Sequence, residues 1–275
     1  QDISSLGNQT YLDLSYCSKI TEVNHLGNVH TLILKDCMGI TDVSGLGKVH
    51  TLDLSYCSKI MDVHTLGDVY SLSLFGCNKI DDISSLKNNY YLNLGFTKIS
   101  NIKSLSNITK INLSRCNNIY DISSLSNVYE VNLNACEQIN DFTSLRYIHT
   151  LNVASCPQIT DVSIFANIRY LDLSECKEIV DVSPLKNVHT LKLSHCTKVS
   201  NESVNELVNV HTLDISHCLQ ISDISGLNNI NTINISYCYC IKDITKLQSC
   251  EILIMKGCGQ IRNTSMLPKL RMSRK

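Results

Sequence analysis

The sequence predicts an α/β-type repeat solenoid, a stack of short coils that each give one strand to a parallel β-sheet. Three observations carry this expectation. The stretch Val49 to Asp68, V-H-T-L-D-L-S-Y-C-S-K-I-M-D-V-H-T-L-G-D, is restated about thirteen times. Numbering it 1 to 20, apolar residues stand at positions 1, 4, 6, 9, 12, 15 and 18, a spacing that neither a single helix nor a single strand produces. The L-x-L centre has the period of two expected for a strand, while the steps of three around it turn the chain inward at each corner.

One such coil cannot fold alone. Seven inward side chains give roughly 1.5–3 kcal/mol each on burial, whereas ordering twenty residues costs about 1–2 kcal/mol apiece in backbone entropy. Stacking supplies the ladder hydrogen bonds and completes the burial.

The coils begin at Gln9, Val29, Val49, Val69, Asn89, Ile108, Val128, Ile148, Ile168, Val188, Val210, Ile230 and Cys250, giving one solenoid across 1–275. Two coils are irregular. The coil at 89–107 is one residue short, with Thr97 in the place of a cysteine. The coil at 188–209 is two residues long and puts Val204, Leu207 and Val208 at helical spacing behind the candidate caps Ser200 and Asn201, which predicts a short helix. Residues 268–275 form a basic tail with Lys269, Arg271, Arg274 and Lys275. The chain opens at Gln1 and Asp2 in the middle of a coil, and neither end reads as a capping unit, so a longer parent protein or association through the ends is expected.

Position 12 is Ile or Val in every coil and position 18 is nearly always Leu, which makes both core columns. Position 14 is an Asp column (Asp2, Asp42, Asp62, Asp82, Asp121, Asp141, Asp161, Asp181, Asp223, Asp243). Each carboxylate is expected to accept backbone N–H groups of the next turn as an Asx or N-cap group; calcium chelation is the alternative, but the Gly-rich nonapeptide of calcium-binding β-rolls is missing. Position 20 is often Asn, suited to a left-handed bend. Twelve of the 14 cysteines occupy position 9, from Cys17 to Cys258. Parallel Cβ vectors about 4.8 Å apart exceed the ~3.8 Å a disulfide prefers, and tetrahedral metal binding needs convergence. Buried free thiols donating to loop carbonyls are expected, with Cys250 inside and Cys240 exposed. Reduced thiols in this number suit a reducing, intracellular compartment, and sequons such as Asn107-Ile-Thr109 then follow from the Asn/Ser-rich repeat.

The pattern V-x-x-L-x-L-x-x-C-x-x-I-T-D resembles the leucine-rich repeat over essentially the whole chain. Its first half is similar to the cysteine-containing subclass of F-box substrate adaptors of ubiquitin ligases; its second half, I-x-D-[VI]-S-x-L, resembles the short repeats of bacterial internalins. The near-identity of Tyr11–Ile20 and Thr51–Ile60 is similar to repeat proteins of giant viruses of amoebae, which would place the protein in a host cytoplasm. The resemblance implies a horseshoe or rod with the sheet on the concave face. Units of twenty residues are shorter than in those families, so short 3₁₀ or extended segments are expected on the convex face.

Charge and hydropathy exclude several partners. The net charge is -1 with dispersed charges, which leaves no footprint for nucleic acid. No apolar run approaches the ~18 residues that span a bilayer. No nucleophile–base set, phosphate loop or paired-acid motif marks an enzyme, and no cofactor is indicated. Function is expected on the strand face, at positions 3, 5, 7 and 8. Position 5 is rich in Asn and Asp and reads as a self-satisfying amide ladder. Position 8 varies from coil to coil, and aromatic residues with Arg are common anchors of protein interfaces. The candidate contacts for a protein partner are Tyr11, Tyr16, Tyr56, Phe75, Tyr91, Phe96, Arg115, Tyr170, Glu175, His195 and His217. The alternative for each is plain sheet cover. A metal shared by His195 and His217 lacks a third ligand column. An ice- or glycan-binding face is a rival reading of Thr190, Thr212 and Thr232 at position 3, but that column is broken at Tyr11, Tyr91, Lys110, Glu130 and Tyr170.

Overall fold

The computed structural model describes residues 3–261 and the strand backbone at 271–273. Asp2 and the basic tail, apart from that strand backbone, lie outside the described residues. The chain divides into two compact units, Gln1–Ser144 and Leu145–Lys275. The first carries β1 (Tyr11–Asp13), β2 (Thr31–Ile33), β3 (Thr51–Asp53), β4 (Ser71–Ser73), β5 (Tyr91–Asn93), β6 (Lys110–Asn112) and β7 (Glu130–Asn132). The second carries β8 (Thr150–Asn152), β9 (Tyr170–Asp172), β10 (Thr190–Lys192), β11 (Thr212–Asp214), β12 (Thr232–Asn234), β13 (Ile252–Ile254) and β14 (Arg271–Ser273). Within each unit consecutive strands pair in parallel, with Leu32 opposite Leu52 and Leu191 opposite Leu213.

Each strand has only three residues because the coil leaves the ladder at both ends, yet its hydrogen bonding runs further. The position-6 N–H reaches the position-5 carbonyl of the next coil (Leu54 to Ser73, 2.8 Å), and the position-8 N–H reaches the next position-7 carbonyl (Asp36 to Ser55, 2.7 Å). By the alternation of a parallel ladder, the position-7 N–H should turn back to the position-6 carbonyl of the preceding coil. That oxygen is already occupied. It accepts the position-9 N–H of its own coil, as Leu54 does from Cys57 (3.0 Å), and the thiol of the coil after, as from Cys77 Sγ (3.1 Å). The position-7 N–H therefore bonds the position-5 side chain: Ser55 to Asp53 Oδ1 (2.8 Å), Ser114 to Asn112 Oδ1 (2.9 Å), Ser216 to Asp214 Oδ1 (2.8 Å). This corrects the amide-ladder reading. Where position 5 is Asp or Asn it closes an Asx turn inside its own coil, and cross-coil bonds such as Asn93 Nδ2 to Ser73 Oγ (3.1 Å) are additions to it.

The thiols line up inside each unit as a cysteine ladder. Cys37, Cys57, Cys77, Cys116 and Cys136 donate to the position-6 carbonyl one coil back at 3.1–3.2 Å, and Cys176, Cys196, Cys218, Cys238 and Cys258 do the same at 3.0–3.2 Å. All described cysteines are free; Cys250 is buried and Cys240 exposed. Burial pushes the Cys57 and Cys77 thiols up to about 12, so they stay protonated and keep donating. Thr97 bonds Leu94 O of its own coil instead (2.7 Å), and the missing residue removes one of that coil's two turns. Asn89, in the Val/Ile column, is buried and donates from Nδ2 to Leu66 O (3.0 Å), while its Oδ1 has no hydrogen-bond partner.

Away from the strands the coils run through 3₁₀ turns such as Ser44–Leu46, Ser123–Leu125 and Ser183–Leu185, each burying its leucine. The long coil holds an α-helix, α1 (Asn201–Asn205), capped by Ser200 Oγ, which accepts from Ser203 N at 3.2 Å. Val204 in the helix and Leu207 just past its end are buried as expected, but Val208, also past its end, is exposed. The position-14 carboxylates accept the N–H two residues on in their own coil, at 2.8–3.0 Å from Asp42 to Asp243, and the bonds that Asp42 and Asp223 accept across coils come from side chains of the coil before, Asn24 Nδ2 (2.6 Å) and Asn205 Nδ2 (3.1 Å). They start the 3₁₀ turn. Position 20 is not left-handed among the described residues; every non-glycine residue with positive φ stands at position 8.

The Asp column sets an acid limit. Hydrogen bonds from the residue two positions on hold Asp42, Asp62, Asp82, Asp121, Asp141, Asp161, Asp223 and Asp243 below the usual carboxylate range. A lowered folded-state pKa means the contribution is complete above the unfolded value, about 3.9, and is lost as pH falls through the folded values. Urea midpoints are expected to fall slightly from about pH 7 to 5, as His189 and His217, whose folded pKa values are lowered, take up protons more readily in the unfolded chain, and to drop further below about pH 4; a midpoint that rises on acidification would contradict this role.

Candidate functional site

At the strand exit the backbone of every described coil turns left-handed at position 8. Tyr16, Asp36, Tyr56, Phe96, Arg115, Ala135, Ser155, Glu175, His195, His217 and Tyr237 have φ between 55° and 63°, and Gly76 and Gly257 stand at 73° and 75°. Such a conformation costs a non-glycine residue on the order of 1–2 kcal/mol. In the coils whose position 5 is Asp or Asn, two hydrogen bonds help to hold it there, as at Tyr56: the Asx turn before it and the ladder bond from its own N–H. The row is thus fixed in backbone and varied in side chain.

Side chains of this row, and of position 7 beside it, lie over the coil that follows. A Cβ added to Gly76 would stand 2.7 Å from Tyr56 Cδ1, one on Gly257 would stand 2.7 Å from Tyr237 Cδ1, and one on Gly95 would stand 2.8 Å from Phe75 Cδ2. These glycines make room for the ring of the preceding coil. In the first unit this gathers Tyr56 and Phe75 (ring centroids 5.3 Å apart, edge-to-face) and Phe75 and Phe96 (6.1 Å). Arg115 follows Phe96 in the row and is exposed. Tyr16 and Tyr11 are exposed near the first strand, and Tyr91 is half-buried in β5, where burial raises its phenol pKa.

In the second unit His195 stacks on His217 (4.1 Å, 10° between planes), and His217 on Tyr237 (4.4 Å), a ring that sequence reasoning left out. Stacked imidazoles point their ring nitrogens side by side, so the pair does not converge on an ion. Among the described residues no group of three or more His, Cys, Asp or Glu is placed to hold a metal. Burial, then the His195 charge, holds His217 below the usual histidine range. Glu175 precedes His195 in the row and is exposed. Tyr170 belongs elsewhere: its ring meets His149 (5.1 Å) and His189 (5.8 Å) at the strand entrance, with the Arg169 guanidinium 5.7 Å from its centroid.

That entrance is a second aromatic row, whose residues are not among the candidate contacts read from the sequence. At position 2, His30, His50, Tyr70 and Tyr90 stack at 4.5, 4.7 and 4.6 Å, and His189 stacks on His211 at 4.8 Å. Its histidines bond the next threonine, as His50 Nδ1 does with Thr51 Oγ1 (3.2 Å). The signal was present in the recurring V-[HY]-[TS]-L, read only for its apolar ends. On the strands themselves charges pair across coils: Lys110 with Glu130 at 2.9 Å and Lys192 with Asp172 at 3.4 Å.

No protein-family model and no curated protein matches the sequence. Solved structures do match. An internalin, InlF, of Listeria monocytogenes superposes with a TM-score of 0.58 at 18% identity, covering 97% of this chain and 87% of that one. The functional domain of InlJ from the same organism, described as including a cysteine ladder, gives 0.60 at 19% identity over 96% of this chain and 62% of that one. Yeast Rad7, in a complex with Elc1, gives 0.53 at 14% identity over 98% and 82%. The strand register, the 3₁₀ turns and these likenesses together establish that the chain has the leucine-rich-repeat fold, with a ladder of buried cysteines behind its strands.

Proposed function

We propose that the protein is a non-catalytic scaffold that binds another protein on its strand face, through the position-8 row and the aromatic side chains beside it. The observation that carries this reading is a contrast between columns. Positions 4, 6, 9, 12 and 18 repeat almost unchanged and are buried, while position 8 holds one fixed backbone conformation and nine different residue types in the 13 described coils. Stacking needs the first and has no use for the second. Exposed or half-exposed Tyr, Phe and Arg in such a row are the residue types that dominate interface energies.

The finer reading is the substrate-binding part of a ubiquitin-ligase-type adaptor. The C-x-x-I-T-D half-repeat supports it, together with the fold shared with Rad7, a protein solved in a complex. Free thiols buried throughout favour a reducing compartment. No helix among the described residues is long and apolar enough to cross a membrane.

Photo-crosslinking separates the faces. A benzoylphenylalanine at Tyr56 or His217 is expected to capture one saturable protein partner, and one at Tyr147, exposed away from the strands, is not. Capture from Tyr147 with none from either strand-face position would overturn the proposal.

A further inference from the structure

The strand face of the first unit is ordered by charge. At positions 3, 5, 7 and 8, the coils of β1 to β3 hold Asp13, Asp36 and Asp53 against the single cation Lys35. The next two coils hold no charge there: Ser71, Ser73, Phe75 and Gly76, then Tyr91, Asn93, Gly95 and Phe96. The coil of β6 brings Lys110 and Arg115, of which Lys110 is paired with Glu130 at 2.9 Å. Among the described residues no cation ion-pairs with Asp36 and no carboxylate with Arg115.

Asp36 is the sharpest feature. Its Oδ1 is shut away from solvent with no hydrogen-bond partner. Its two neighbours in the row are Tyr16 and Tyr56, joined to its coil by the bonds from Tyr16 N to Lys35 O (2.7 Å) and from Asp36 N to Ser55 O (2.7 Å). A carboxylate with one oxygen cut off from water and from donors is under-compensated. Its charge is shared by both oxygens, so a cation at the accessible one relieves it. Flanking tyrosine rings add cation–π attraction for the same ligand.

Resting on the scaffold reading above, we propose that this face docks a protein segment of defined polarity: a Lys or Arg on Asp36 between Tyr16 and Tyr56, an apolar or aromatic residue against Phe75 and Phe96, and an Asp or Glu on Arg115. Four coil spacings separate Asp36 from Arg115, about 19 Å at ~4.8 Å each. That separates the two charges of the partner by about six residues if it is extended or about thirteen if it is helical. Bidentate pairing of Arg115 with a carboxylate and the desolvated pairing at Asp36 fix the direction in which the segment lies.

Peptides selected from a random display library on the full chain provide the probe, with affinities read by fluorescence anisotropy. Peptides that lose binding with Tyr56→Ala or Phe96→Ala are expected to carry a basic residue, an apolar centre and an acidic residue in that order or its reverse. Asp36→Lys and Arg115→Glu are each expected to weaken them tenfold or more. The double variant is expected to recover binding to peptides with the two charges exchanged. The row already accommodates Arg115 and Glu175 at the same backbone angle, so neither substitution makes a new conformational demand, and thermal melts by circular dichroism check that both variants fold. Strand-face peptides with no charge order, or affinities unchanged within twofold, would overturn the polarity and leave the scaffold standing. Selection that yields no strand-face binder at all would overturn both.

Discussion

Leu74→Ala is expected to lower the stability of the first unit by about 2–5 kcal/mol, the range for deleting a fully buried leucine side chain whose surroundings cannot collapse. Leu74 is fully buried at position 6, and its neighbours in the column, Leu54 and Leu94, are held by the ladder bonds on either side. The backbone there is doubly tied, since Leu74 N bonds Asn93 O (2.8 Å) and Leu74 O accepts Cys77 N (3.0 Å). The coil therefore cannot move in to fill the space. A solenoid is stabilised only through nearest neighbours, so a weak coil in the interior also uncouples the coils on its two sides. Urea unfolding followed by circular dichroism should show a lower midpoint, with a shallower slope if the array separates. The same change at Leu14, half-buried in the first described coil, should cost clearly less. A loss below about 1 kcal/mol at Leu74 would mean that the coils repack, which rigid ladder geometry does not allow.

The columns were legible because stacking leaves them no freedom. Leu at position 18, Ile at 12 and Cys at 9 recur in the sequence for one reason, and the structure puts them where that reason requires; even Phe165, in the leucine column, is fully buried. The strand-face geometry was less legible. Tyr, Phe, Arg and Glu carry no mark of a positive φ, and only Gly76 and Gly257 in the same column hinted at it. The Asp residues of position 14 read as turn formers from the sequence, but the Asn and Asp residues of position 5 read as a ladder between coils, because whether they bond their own coil depends on which carbonyls the thiols have already taken, a fact of three-dimensional packing. Val208 matched a helical spacing but fell past the point where α1 ends. The grouping of the candidate contacts follows from ring lean, which brings Tyr56 to Phe75 and His195 to His217 while sending Tyr170 to the opposite end of its strand.

Gly76→Val tests that lean, and its expected effect is a loss of about 2–4 kcal/mol. Two causes add. At φ 73° a β-branched side chain is strongly disfavoured, at about 1–3 kcal/mol. The new Cβ would also stand 2.7 Å from Tyr56 Cδ1 and 2.9 Å from Cε1, so the ring must leave its place against Phe75. The edge-to-face pair is itself worth about 0.5–1.5 kcal/mol. A double-mutant cycle with Tyr56→Ala separates the terms, because removing the ring abolishes the steric share and leaves the backbone share. The second substitution should therefore cost less in the Tyr56→Ala background than alone. The chain has no Trp, so displacement of the ring is readable in near-ultraviolet circular dichroism of its 12 Tyr and 4 Phe residues. Strictly additive costs would show that Tyr56 does not lie over Gly76, and the row of leaning side chains proposed to meet a partner would lose Tyr56 as a member.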